Sequence, residues 1–239
     1  MKVSPAAQHD VVVADTPRVR ILDVAAERAR CFDLDGEGLV EVHGHGFPLQ
    51  FSPARRDETP HRDFPLSERE RAERHLAVVR AVDDALRPLQ HEDPRPFIVI
   101  GPVRDVAYFD EVTSHGPDII DRVHGSHIDD SPSELTVLLA PALAAEGERR
   151  AAEAVRRAKD AIGGRATVGF TDIAVAAAEG RGHELIVEAG LTAETAGADA
   201  DPAAINAVID AVLEHNGNVM VVPSGSLREH GGMVLLLRY

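Results

Sequence analysis

The sequence predicts two consecutive α/β domains joined near residue 130, and three observations carry that expectation. Three short extended segments separated by tight connections lie between residues 19 and 43. From residue 67 onward, helical periodicities alternate with short apolar runs, the pattern of strands covered on both faces. A second helix-and-strand series then opens at Ser131-Pro-Ser-Glu134. The 239 residues are 44% hydrophobic, enough for two cores, but only 4% aromatic with no Trp, so Val, Leu, Ile and Ala must build them. The expected limits are an N-terminal tail at 1–17, a first domain at 18–130 and a second at 131–239.

In the first domain, 19–24 (VRILDV), 29–34 (ARCFDL) and 38–43 (GLVEVH) read as an antiparallel meander, with Asp35-Gly36 as a hairpin turn. Residues 44–66 contain Pro48, Pro53, Pro60 and Pro65 and read as a loop without regular structure. Ser67 and Glu70 form a capping box, and Ala72, His75, Leu76, Val79, Val82 and Leu86 then recur at helical spacing up to Pro88, where the helix is expected to end. Phe97-Ile-Val-Ile100 is a buried strand. Pro102 is expected in the first turn of a helix over 102–114, and 118–123 is a further strand. The order is β-β-β-α-β-α-β.

In the second domain, the capping pattern at 131–134 starts a helix in which Leu135, Leu138, Leu139, Ala142 and Leu143 share a face. Pro141 predicts a kink, and Gly163-Gly164 an end. A helix over 171–179 capped by Thr171, a strand at 184–187, a helix over 202–215 stopped by Asn216-Gly217, and strands at 218–222 and 232–238 complete an α-β-α-β-β series.

With 40 acidic against 25 basic residues, the net charge of −15 repels phosphate backbones. This excludes a general nucleic-acid surface and argues against DNA as a partner; RNA contact must come from local Arg clusters. The scarcity of aromatics excludes a stacking platform for single strands. The single Cys31 excludes an internal disulfide and a Cys-based zinc site and fits a reducing cytoplasm. No apolar run approaches the ~20 residues of a membrane span, and the start MKVSPAAQHD lacks a signal-peptide core, so a cytoplasmic location is expected.

The stretches GFTDIAVAAAEGRGHELIVEAG (169–190), NGNVMVVP (216–223) and GGMVLLLRY (231–239) resemble the C-terminal domain of archaeal and eukaryotic release factors and Pelota, and above all the bacterial archaeo-eukaryotic release factor family. Upstream, PFIVIGPVRDVAYFDEV followed by VHGS is similar to the family's RNase H-like middle domain. The resemblance implies an RNase H-like middle domain at 18–130 followed by an α-β-α sandwich of the release-factor/Pelota C-terminal type. Two departures follow from it. Only about 17 residues precede the first strand, so the family's usual N-terminal domain is expected to be absent. The loop at 44–66 also lacks the Gly-Gly-Gln triplet with which release factors hydrolyse peptidyl-tRNA. The resemblance therefore implies a non-enzymatic, translation-associated protein that binds the ribosome in rescue or hibernation, with a translational GTPase or a stalk protein as candidate partner.

Arg55, Arg56, His61 and Arg62 form the local basic cluster of that loop and are the candidates for ribosome or RNA contact. Arg149, Arg150, Arg156 and Arg157 on the long helix read instead as ion-paired surface charge. A metal at His43, His45 and His61 with Asp57 or Asp63, or at His124 and His127 with Asp129 and Asp130, lacks fixed geometry, so neither a metal nor a cofactor is expected. A two-metal nuclease would use Asp23 with Glu70 or Glu73, but the fourth strand ends at Gly101-Pro102 without an acid, and Asp105 lies a turn beyond. Ser224, Ser226 and His230 lack a nucleophile elbow. The alternatives to the ribosomal role are a stress-response interaction module away from the ribosome and a metal-dependent hydrolase or nuclease using the 43–63 loop.

Overall fold

A computed structural model describes residues 18–36, 38–51, 67–197 and 201–239. The chain divides into two compact units, and the division falls between Glu146 and Gly147.

In the first unit β1 (Val19–Ala25) pairs antiparallel with β2 (Arg28–Asp35), from Val19 opposite Leu34 to Ala25 opposite Arg28, and β3 (Gly38–Glu41) continues the meander on β2. A two-residue β4 (Leu49–Gln50) was not expected in the Pro-rich loop; it pairs with Ala29 and Arg28 of β2. Leu49 and Phe51 pack partly buried against the core, and the Phe51 N–H donates to the Glu27 carbonyl at 2.8 Å, so Pro48 just outside the ladder costs no backbone bond.

The Ser67–Glu70 capping box opens α1 (Glu68–Glu92), which passes through Pro88 where an end was expected. The correction has a tertiary cause: Leu86, Leu89 and Gln90 in the final turns are all buried, and this packing outweighs the missing proline donor. The fully buried β5 (Phe97–Gly101) lies parallel to β1. α2 (Val103–Val112) begins one residue later than expected, with Pro102 at its N-cap, and β6 (Ile119–His124) lies parallel to β5. The strand order is β3-β2-β1-β5-β6, with β4 attached to β2.

Strand alternation sends Leu22, Val24, Phe97 and Val99 to one face, where α1 and α2 cover them. Val19, Ile21, Ile98 and Ile100 go to the other, where they meet Leu135 and Leu139 of α3 (Pro132–Ala161). That helix is continuous through Pro141. Its first half fills the core of the first unit, which is why the units part within it and not at 130/131. Its second half supplies Ala151, Ala154 and Ala158 to the second core.

The second unit holds one sheet of order β7-β10-β8-β9: β7 (Ala166–Val168), β8 (Gly182–Glu188), β9 (Asn218–Val222) and β10 (Met233–Leu237). β10 is antiparallel to both β7 and β8, and β9 is parallel to β8. α4 (Phe170–Ala178) and α6 (Pro202–Glu214) cover one face and the end of α3 the other, while α5 (Ala193–Ala196) is a single turn. β7 and α5 escaped the sequence reading because three and four residues carry too little periodicity. α4 begins at Phe170 with Gly169 at its N-cap, not at a Thr171 cap. After α6, Gly217 is required sterically: a Cβ there would stand 2.8 Å from the Val212 carbonyl oxygen and 2.6 Å from its Cγ1.

Among the described residues no helix is long and apolar enough to cross a membrane.

Candidate functional site

The loop between β3 and α1 is rooted at both ends. Gly44 and Phe47 exchange backbone hydrogen bonds of 3.1 and 2.8 Å, and the buried Phe47 ring anchors this bend in the core. His45 Nε2 lies 3.3 Å from a Glu92 carboxylate oxygen at the end of α1. β4 then ties the chain to β2, and the Ser67 cap receives it at α1. Arg55, Arg56, His61 and Arg62, with Asp57 and Asp63, lie outside the described residues.

Beside the β4 root stands a charged cluster that only the fold assembles. Asp23, opposite Arg30 on β2 and Ile100 on β5, is 1% exposed, and neither carboxylate oxygen has a hydrogen-bond partner among the described residues. Arg30 spends its donors elsewhere: Nε on Glu41 at 3.1 Å, and Nη1 on the carbonyls of Ile128 at 3.0 Å and Asp130 at 2.9 Å. Its guanidinium also lies 4.6 Å from the Phe32 ring centroid. His127 Nδ1 is 2.8 Å from the Asp130 carboxylate, and Asp129 pairs with Arg28 at 3.0 Å. Gly125 makes room for this arrangement, since a Cβ there would fall 2.3 Å from His127 Nε2.

Burial pushes the Asp23 carboxyl up from 3.8 to about 6, against the pull of Arg30 and His127; Asp130 raises it further and Arg28 lowers it. At 1% exposure the carboxyl is closed off from any substrate. Two β2 arginines clamp the 128–130 segment, and the same strand end carries β4.

The model of bacterial archaeo-eukaryotic release factor family 3 matches residues 20–181, from β1 through α4. The chain belongs to this family. No curated protein sequence matches the chain. Among solved structures, archaeal Pelota in a model of ribosome-bound archaeal Pelota and ABCE1 is similar over 97% of this chain and 64% of its own, at 19% identity and a TM-score of 0.54. S. cerevisiae Dom34, described as a translation termination-like factor involved in RNA quality control pathways and interacting with Hbs1, is similar over 93% of this chain and 62% of its own, at 12% identity and a TM-score of 0.50. At these identities the likeness is one of fold. The chain spans less than two thirds of the length of each of these two structures.

For this family member the structure also places the other residues singled out by sequence. Glu70 is engaged in the α1 capping box and Glu73 pairs with Arg69 at 3.0 Å, so the carboxylates proposed to join Asp23 have local partners. Asp105 is buried against His75 Nε2 at 3.1 Å. Among the described residues no three His, Cys, Asp or Glu side chains converge in a way that could hold a metal. Arg149 and Arg156 pair along α3, and Arg157 grips the buried Glu184 of β8 at 3.0 and 3.1 Å. Ser226 Oγ donates to the Pro223 carbonyl at 2.6 Å, a turn contact.

Sequence reasoning missed the clustering of Arg28, Arg30, His127 and Asp130 around Asp23. One signal was available: an Asp in the strand VRILDVA at a position that shares a face with Val19 and Ile21.

Proposed function

We propose that this member of the release factor family is a ribosome-associated factor that acts without hydrolysing peptidyl-tRNA, in ribosome rescue or hibernation. The observation that carries the reading is the connection from β3 to α1. In a chain of this family, the segment 44–66, which in release factors holds Gly-Gly-Gln, contains no such triplet and carries Arg55, Arg56, His61 and Arg62 instead. The strand order β3-β2-β1-β5-β6, antiparallel then parallel, supports the RNase H-like relationship of the first domain. Archaeal Pelota on the ribosome with ABCE1, and Dom34 with Hbs1, support a ribosomal setting and a partner such as a translational GTPase or stalk protein for the second.

At a net charge of −15, ribosome contact must be local, so loss of a few cations has a large effect. Co-sedimentation of the purified protein with bacterial ribosomes at low and physiological salt tests the reading. Wild type is expected to pellet saturably, and Arg55→Glu combined with Arg56→Glu to pellet at least tenfold more weakly at physiological salt. No pelleting of wild type under any condition would sink the ribosomal role and leave a release-factor fold working as an interaction module elsewhere.

A further inference from the structure

The loop from Pro223 to Gly232 follows the carboxyl end of β9, beside the carboxyl end of its parallel neighbour β8, the place where open α/β sheets bind ligands. It is held from beneath. The Leu227 N–H donates to the carboxylate of the buried Glu188, the Leu227 side chain is itself buried, and the N–H groups of His230 and Gly232 close back onto the Leu227 carbonyl at 2.8 and 3.1 Å. Above this base lies a cavity of about 260 Å³ lined by Lys159 from the last turns of α3 and by Ser226, Arg228, Glu229 and His230.

Many of the described arginines are neutralised by acids. Arg18, Arg20, Arg28, Arg30, Arg95 and Arg122 all meet carboxylates, as expected where acids outnumber bases 40 to 25. Lys159 and Arg228 form no ion pair with any described residue, although together with His230 they line one cavity that holds a single acid, Glu229. Cations left unpaired in an acidic protein and gathered round a small polar hollow repel one another until an anion enters. With a water occupying about 30 Å³, the hollow has room for a phosphate group and part of its hydration.

We propose that this cavity is a phosphate site for an RNA backbone, with Lys159 and Arg228 as its charged contacts and His230 as a hydrogen-bonding partner. The choice of RNA rests on the ribosomal reading above; the anion preference rests on the lining alone. It supplies the second unit with a nucleic-acid contact independent of the Arg55–Arg62 segment.

The test is a titration of the whole protein followed by ¹H–¹⁵N spectra, first with inorganic phosphate and then with a short RNA duplex. RNA is expected to shift the Gly225–His230 amides, and phosphate to do so only at much higher concentration. The pair Lys159→Glu and Arg228→Glu should weaken RNA binding at least tenfold and flatten its salt dependence by about 1.4 to 1.8 in the log–log slope, with unchanged circular dichroism. Shifts with phosphate but none with RNA would make this a free-phosphate site and overturn the proposal, as would no shift with either. Ribosome pelleting separates the two ideas. Wild type that binds RNA here but does not pellet keeps the site and loses the ribosomal reading; wild type that pellets without these shifts does the reverse.

Discussion

An Asp23→Asn variant is expected to resist urea better than wild type at pH 8 and to match it closely near pH 4. The Asp23 carboxyl is raised from 3.8 to about 6 in the folded chain, chiefly by burial, so the folded state holds the proton more tightly than the unfolded chain does. Stability from this group is therefore complete below pH 3.8 and is lost as pH rises through about 6. The difference corresponds to about 3 kcal/mol by pH 8, a large share of a typical folding free energy. Asn keeps the shape and cannot ionise, and because neither Asp23 oxygen has a hydrogen-bond partner among the described residues, the substitution breaks no bond. Denaturation midpoints at the two pH values measure the effect. Equal midpoints at pH 8 would show that Arg30 and His127 compensate the buried charge fully.

The opposite end of the same sheet should behave in the contrary way. Arg20 is 1% exposed and meets Asp33 through two bonds, Nε at 2.7 Å and Nη2 at 3.2 Å, while Nη1 donates to Gln90 at 2.6 Å. Gln90 in turn donates to the Arg95 carbonyl at 2.7 Å, and Arg95 reaches Asp93 and Asp35 at 2.7 and 3.0 Å. The bond to Arg95 helps hold the Asp93 carboxyl below its ordinary value. Arg20→Met fills much of the same space but removes the two bonds to Asp33 and the short bond to Gln90, leaving them only Arg95, at 3.9 and 3.4 Å, and is expected to cost about 3 to 5 kcal/mol. Adding Asp33→Asn removes the stranded charge and should recover part of that loss. A single-variant cost below about 1 kcal/mol, read from urea midpoints, would mean that water satisfies both groups at this sheet end.

The two ends differ because the donors are distributed unequally. At the Arg20 end a fork finds two acceptors side by side on β2 and α1. At the Asp23 end Arg30 lies opposite the carboxyl in register yet aims at Glu41 and at backbone carbonyls a hundred residues along the chain. This leaves the buried Asp23 carboxyl without a donor among the described residues, and burial favours its protonated form, while Arg30 ties β2 to the 128–130 segment.

Where a few neighbouring residues hold the whole signal, the sequence alone was sufficient. The Ser67–Glu70 capping box, the run Phe97-Ile-Val-Ile100 and the Asn216-Gly217 stop each determined an element locally. The candidate loop with its missing triplet was likewise legible, as a plain reading of residues 44–66. Tertiary structure decided the rest. Pro88 stays inside α1 because the turns around it are buried, and Leu49 becomes a strand only because β2 offers a free edge. α3 serves two cores, since leucines near its start and alanines near its end face different sheets. The groupings of Arg30 with the 128–130 carbonyls, and of Lys159 with Arg228, join residues about 70 to 100 positions apart. Capping and periodicity act through neighbouring turns and can be read from a string, whereas the position of a charge relative to its partners depends on which strands lie side by side, and only the folded sheet determines that.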